Sequence, residues 1–335
     1  MAAGLKNLIT DIPGIYVGHA HDPAIASGVT ALIFETPAVA SIAVHGGAPG
    51  LRDTALLEPQ MAVERVDAFV LSGGSVYGLD SMGGVMSWLR EKGRGYGVGN
   101  VKVPIVPGAI LFDLLNGGDR SFGREPAYWH LGYRAAAAAG ENFALGSVGA
   151  GYGATTANLK GGLGSASAST SSGFCAGALV AVNALGQATI GDGPHFWAAP
   201  YESEREFGDL GWPASWPKDA LAIRIKSAAP ENTTIAIVAT DAALTKPEAK
   251  RLAIMAHDGI ARALRPSHAC MDGDTIFAAA TGTAKNVPTV RDRIEIGLSV
   301  ADCLSRAIAR AVYEANALPF PGALLSWKGR YRQGV

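Results

Sequence analysis

Short β-branched apolar runs, broken by glycine, dominate the first third of the chain. Gly28-Val-Thr-Ala-Leu-Ile-Phe34 and Ala40-Ser-Ile-Ala-Val44 predict two strands, and Asp67-Ala-Phe-Val-Leu71 predicts a third that closes on Ser72-Gly-Gly-Ser75. The apolar period then changes. Leu79, Met82, Val85, Met86 and Leu89 recur at helical spacing and predict a helix from about residue 77 to residue 90. A strand over 101–106, a corner at Pro107-Gly108 and an alanine-rich helix over 133–141 follow.

The last hundred or so residues read strand, helix, strand, helix. Thr233 to Thr240 is an unbroken run of β-formers. Thr245-Lys-Pro-Glu248 is a capping box with proline in the first turn, and the helix it opens sets Leu252, Ala256, Ile260 and Leu264 on one face before Pro266. A strand over 275–281 leads to a helix over 291–317 presenting Ile294, Leu298, Ala301, Leu304, Ile308 and Val312. Between the halves, a turn at residues 183–186 predicts a hairpin into a strand over 187–190. The stretch 195–218, with Trp197, Trp212 and Trp216, reads as a long surface loop, either packed on its own aromatics or facing substrate as a flap. No internal repeat or low-complexity linker divides the chain, so one domain over 1–335 is expected.

Composition narrows the class. Hydrophobic residues make up 48% and charged residues 17%, which excludes disorder, and the net charge of −1 leaves no basic footprint for nucleic acid or anionic lipid. A small-molecule partner fits better. The N-terminus shows no secretory pattern, and no apolar run is long enough to span a membrane. Cys175, Cys270 and Cys303 are widely spaced and read as reduced thiols in a cytoplasm. Glycine accounts for 43 of 335 residues, where about 7% is ordinary, so these positions call for an explanation.

Phosphate cradles do not supply one. Gly149-x-Gly151-x-x-Ala154 fits a relaxed dinucleotide fingerprint, but no acidic residue follows at the distance a ribose needs. Ser72-Gly-Gly-Ser75 lacks the spacing of a hydrolase elbow, and no Walker lysine exists. His19-Ala-His21 has no third ligand nearby and reads as surface; Asp272-Gly-Asp274 begins like a calcium loop and then continues as an apolar strand. No metal or cofactor is expected.

The junction Asn232-Thr233 carries the remaining chemistry. A hydroxyl residue opening a strand after an exposed loop is where an N-terminal nucleophile hydrolase cuts itself, although threonines commonly open strands. The freed α-amino group, with an ordinary pKa near 7.7–8.0, then serves as the hydroxyl's own base.

Three blocks at matching distances make the likeness specific: Asn232-Thr-Thr-Ile-Ala-Ile-Val-Ala-Thr-Asp241, Leu244-Thr-Lys-Pro-Glu248 and Met271-Asp-Gly-Asp-Thr-Ile-Phe277. With Leu71-Ser-Gly-Gly-Ser-Val-Tyr-Gly-Leu79, Gly146-Ser-Val-Gly-Ala-Gly151 and the opening Thr10-Asp-Ile-Pro-Gly-Ile-Tyr-Val-Gly-His19, the chain resembles the L-aminopeptidase/D-esterase family. That family includes the β-peptidyl aminopeptidases and nylon-oligomer hydrolases.

The resemblance implies an α+β fold, a four-layer αββα sandwich with ornithine acetyltransferase-type topology. It also implies a precursor cut between Asn232 and Thr233 into an α chain, 1–232, and a β chain, 233–335. Thr233 would be the nucleophile, with Lys160, Asn183, Asp272 and Asp274 beside it. Asn183 would donate to the oxyanion, Lys160 would lower the hydroxyl's pKa or stabilise charge, and the aspartates would orient the new ammonium. Phe112 and Tyr77 are expected in the substrate pocket. Phe112 stands where nylon-oligomer hydrolases carry a tyrosine and cannot hydrogen-bond, so either that donor is dispensable or the pocket favours a more apolar acyl group.

The implied activity is cleavage of short peptides, amino-acid amides or ω-amino-acid oligomers through an acyl-Thr233 ester. Acyl transfer of the ornithine acetyltransferase type, on the same nucleophile, is the alternative. A homo-oligomer, a tetramer of αβ units, is implied as well.

Overall fold

The computed structural model describes residues 2–226 and 232–332. In chain order the strands are β1 (Ala2–Ala3), β2 (Ile15–Asp22), β3 (Ser27–Val44), β4 (Gly50–Arg52), β5 (Arg65–Ser72), β6 (Tyr96–Val98), β7 (Val101–Val103), β8 (Gly108–Ile110), β9 (Gly162–Ser169), β10 (Cys175–Asn183), β11 (Thr233–Thr240) and β12 (Thr275–Ala280). The helices are α1 (Ser81–Glu91), α2 (Tyr128–Ala137), α3 (Lys246–Ala263), α4 (Val290–Tyr313) and α5 (Trp327–Tyr331).

Two layers of strands share β3. Its second half pairs with β12, which continues through β11, β10 and β9; its first half pairs with β2 and β5. Only β11 beside β12 and β5 beside β8 run parallel. The sequence predicts two strands where β3 is one, because Thr36 and Pro37 look like a break. The chain instead bulges there, with Glu35 and Thr36 exposed, and carries the strand from one layer into the other across a register shift between Ile33 and Ala38.

Strands buried on both faces explain the continuous apolar runs. On β10, Ala178, Val180 and Val182 face α3 and α4, while Leu179 and Ala181 face the opposite layer. The same alternation sends Ala236, Val238, Ile276 and Ala278 outward under the helices and Ile235, Ile237 and Phe277 inward. Leu32, Phe34, Phe69 and Leu71 answer from the other layer, where Phe69 stacks on Phe277 at 4.7 Å. Outside that layer, Val29, Ala31, Ala68 and Val70 pack beneath Met82, Val85 and Leu89 of α1 and Leu131 and Ala135 of α2. Each such side chain gains about 1.5–3 kcal/mol on burial. Helices, strands, strands and helices make the four-layer αββα sandwich.

Several elements shift from their expected bounds. Residues 75–80 form a 3-10 segment, and the helix proper begins at Ser81. α2 starts at Tyr128, since Tyr128 and Leu131 extend the apolar face that the alanine run alone conceals. The strand expected over 101–106 shrinks to exposed β7, and 187–190 is no strand: the Gln187 amide bonds the carbonyls of Thr189 and Gly191 and turns the chain. On α4, Ile294 and Leu298 are exposed, because Gly297, Ser299 and Ser305 take the buried stripe. Small residues permit that approach and carry little hydropathy signal.

Trp197, Trp212 and Trp216 pack on one another in the 195–218 loop, with ring centroids 5.9 and 5.8 Å apart. Glycine serves close packing at Gly151 and Gly161, where an added Cβ would lie 2.1 Å from Leu163 N and from Val182 O; Gly97, Gly99 and Gly123 instead meet open space. Among the described residues, no helix is long and apolar enough to cross a membrane.

Candidate active site

The site assembles where β10, β11 and the loop before β12 meet. The antiparallel register sets Asn183, the last residue of β10, opposite Thr233, the first of β11. On the other side the chain 272–274 runs beside 232–234, with a parallel bridge between Asn232 and Asp272. Both residues of the Asn232–Thr233 bond are buried, 1% and 5% exposed. An outside protease cannot reach such a bond.

The carbonyl oxygen of Asn232 receives two hydrogen bonds, from the Thr233 hydroxyl at 2.5 Å and from the Gly273 amide at 2.8 Å. The hydroxyl therefore lies against the carbonyl it would attack, and a backbone N–H already sits where negative charge would develop. Gly273 was absent from the residues expected in the site. Its signal is its place between two acidic residues: a Cβ there would meet Thr233 Oγ1 at 2.6 Å, so only glycine lets the strands close.

Asp272 and Asp274 are both buried, and their surroundings shift their pKa values in opposite directions. Asp274 accepts from the Thr234 amide at 3.0 Å and the His268 amide at 2.9 Å, and its Oδ2 lies 2.8 Å from His268 Nδ1. Burial raises its pKa, but these bonds and the His268 ring outweigh it and hold the carboxyl below its ordinary range. Asp272 is pushed up, by burial first and then by the Asp274 charge, with Lys226 opposing. Among the described residues its Oδ1 has no hydrogen-bond partner. The two carboxyls beside the Asn232–Thr233 bond are thus shifted in opposite directions, Asp272 toward holding a proton and Asp274 toward losing one, the kind of split that separates acid and base roles.

Asn183 ties this bond to a cavity of about 260 Å³. Its Oδ1 accepts from Thr155 N and from Lys226 Nζ, both at 3.0 Å, while its Nδ2 donates to Phe112 O at 2.8 Å. One amide hydrogen remains for an oxyanion. Phe112, Thr155, Lys160 and Lys226 line the cavity, with Leu318 and Phe320 as apolar walls.

Lys160, 2% exposed, donates to the carbonyls of Gly151, Ala154 and Gly161 at 3.0, 2.7 and 2.8 Å. Burial lowers its pKa to about 7, with Asp113 opposing. Burial also lowers Lys226 to about 7, with Asp272 opposing. Lys226 gave no signal in the sequence, being one charge in an irregular loop. Tyr77 does not join the cavity: it is 46% exposed and packs on Phe122, 5.4 Å between ring centroids. The Ser72-Gly-Gly-Ser75 block is held instead by Asp113, which accepts from Gly74 N at 2.8 Å and Ser27 Oγ at 2.7 Å. His19 and His21 do not join into a metal site; His21 stacks on Tyr152 at 4.4 Å.

A buried hydroxyl against a peptide carbonyl, a carboxyl pair shifted in opposite directions and an adjoining cavity suit amide-bond chemistry, and the chain's family and relatives make it a peptide and amide hydrolase. The model of peptidase family S58 matches residues 7–323, and the chain belongs to that family. It is 41% identical to an uncharacterized aminopeptidase of Mycobacterium tuberculosis (strain H37Rv), over 95% of this chain and 99% of that one. It is 26% identical to the 6-aminohexanoate-oligomer endohydrolase of Kocuria sp. (strain KY2), over 93% and 85% of the two chains. The fold matches the L-aminopeptidase D-ala-esterase/amidase of Ochrobactrum anthropi, described as a new variant among the Ntn hydrolase fold. That match has a TM-score of 0.73, 21% identity, and coverage of 99% of this chain and 93% of that one.

Proposed function

We propose that the chain is a self-processing N-terminal nucleophile aminopeptidase whose nucleophile is Thr233. The observation that carries this is the buried Asn232–Thr233 peptide, with the threonine hydroxyl and the Gly273 amide on the same carbonyl oxygen. Thr233 Oγ attacks the Asn232 carbonyl carbon, the C–N bond breaks as the nitrogen takes up a proton, and Asn232 becomes an ester on Oγ. Water then splits that ester, leaving an Asn232 carboxylate and a Thr233 with free hydroxyl and amine.

The same hydroxyl, with its own amine as base, attacks the amide carbonyl of a substrate. The leaving amine takes the proton, and water releases the acyl group from Thr233. Asp274 and Asp272 hold the ammonium and its proton in transit, while Asn183 faces the oxyanion and Lys160 adds positive charge near it.

Substrates are short peptides, amino-acid amides or ω-amino-acid oligomers. The half-buried Phe112 with Leu318 and Phe320 favours an apolar acyl portion. Three cysteines outside any disulfide support a cytoplasmic location. Exposed Val290, Ile294 and Leu298 on α4 support assembly into a homo-oligomer, a tetramer of αβ units.

A denaturing gel tests the reading. Processing turns the 34.4 kDa chain into pieces of roughly 24 and roughly 10 kDa. Thr233→Ala should stay intact and inactive, and Thr233→Ser should retain part of both activities. An uncut chain with full aminopeptidase activity overturns the proposal.

A further inference from the structure

Three histidines from distant parts of the sequence meet behind the aspartate pair. His45 follows β3, His257 lies on α3, and His268 lies in the loop before β12; one ring nitrogen from each falls within 4.8 Å of the others. His45 and His257 stack at 3.7 Å, and His268 stands edge-on to both, at 5.3 and 4.9 Å.

The partners of these rings set their tautomers. His257 Nε2 lies 3.1 Å from the carbonyl oxygen of Ala43, which can only accept, so Nε2 carries the hydrogen and Nδ1 the lone pair. His268 Nδ1 lies 2.8 Å from the Asp274 carboxylate, an ion-pair contact without hydrogen-bond geometry, and the negative charge favours the hydrogen on Nδ1 and the lone pair on Nε2. His257 Nδ1 and both ring nitrogens of His268 are buried and, among the described residues, have no hydrogen-bond partner. An imidazole whose second nitrogen donates to a carbonyl or carboxylate is the arrangement that orients histidine ligands toward a metal. His45, exposed on the third side, supplies an entry path and a ring free to turn.

From these positions we infer that His45, His257 and His268 form a binding site for a divalent transition metal of the zinc class. Nitrogens bound at about 2.0–2.1 Å in a tetrahedron sit roughly 3.3 Å apart, so the exposed His45 ring must leave its stack on His257 and turn toward the other two nitrogens to close the cluster, which leaves a fourth position for water. The site reaches the reaction centre through one chain of contacts. His268 holds Asp274, and Asp274 holds the amide of Thr234, next to the nucleophile. A metal on His268 Nε2 makes its Nδ1–H a stronger donor to Asp274. His45, His257 and His268 act as positioning residues, not catalytic ones.

Calorimetric titration of untagged Thr233→Ala protein with zinc chloride tests the site independently of processing. The expected result is one zinc per chain, a raised melting temperature, and with Co2+ the visible absorption of a tetrahedral complex. His45→Ala, at an exposed position, should fold normally and weaken binding at least tenfold; His268→Gln should do the same. Cys270→Ser, two residues from His268, should bind as the parent does. No zinc binding at micromolar concentrations overturns the inference, as does unchanged affinity in His45→Ala or loss of binding in Cys270→Ser.

Discussion

The amide of Gly273 donates to the carbonyl oxygen of Asn232 at 2.8 Å, which places a fixed backbone dipole on the bond that processing would break. The same glycine leaves room for the Thr233 side chain, since a Cβ there would lie 2.6 Å from Oγ1 and 2.8 Å from Cγ2. Gly273→Ala keeps the N–H but should push it off the carbonyl through that clash, slowing self-cleavage by up to about 100–1,000-fold, the scale on which oxyanion donors act. A gel time course on freshly synthesised chain reads the rate. Cleavage at the parent rate in a folded Gly273→Ala protein would show that the contact is not used.

Lys226 joins the Asn183 side chain to the cavity through a charge-assisted bond at 3.0 Å. Such bonds contribute about 1.5–3 kcal/mol, so Lys226→Met should lower kcat/KM by roughly 10–100-fold. Steady-state kinetics on processed enzyme checks this. A loss confined to KM would place Lys226 in substrate binding alone.

Lys160 gives the pH dependence of stability a definite sign. Its folded pKa lies near 7, well below that of a lysine in the unfolded chain, so between pH 7 and about 10 the unfolded chain binds more protons. Stability from this group should rise across that window, by about 1 kcal/mol per pH unit. Urea unfolding of the Thr233→Ala chain at several pH values, with and without Lys160→Met, isolates the slope. Equal slopes in the two proteins would mean that Lys160 titrates normally.

Phe112 sets a polarity test at the cavity wall. Phe112→Tyr adds a hydroxyl to a half-buried ring, which should reduce kcat/KM for amides of apolar amino acids by about 3–10-fold and spare those of polar ones. Paired anilide substrates differing only in side-chain polarity measure the ratio. An unchanged ratio would place the acyl group elsewhere.

Local pattern made much of the second half legible. The β-former run from Thr233 to Thr240 and the Thr245–Glu248 capping box appear at their expected positions, because strand propensity and helix capping depend on near neighbours. The αββα layering is implied by the family resemblance and not by local pattern, although the apolar runs agree with strands covered on both faces. The first half was less readable. Pro37 reads as a strand end yet lies in the bulge through which β3 changes layer, and partners from both layers hold that bulge.

The sequence by itself determined the strand that Thr233 opens and the acidic pair at Asp272 and Asp274. Only the tertiary structure decided the contacts made across sequence distance. It set Gly273 on the Asn232 carbonyl, shifted the pKa values of the two aspartates in opposite directions, brought Lys226 to Asn183 and gathered His45, His257 and His268. Local pattern reports what a residue does to its own backbone. Charge state and hydrogen-bond partner depend instead on what burial removes and which chain segment arrives, and those follow from strand register and layer packing.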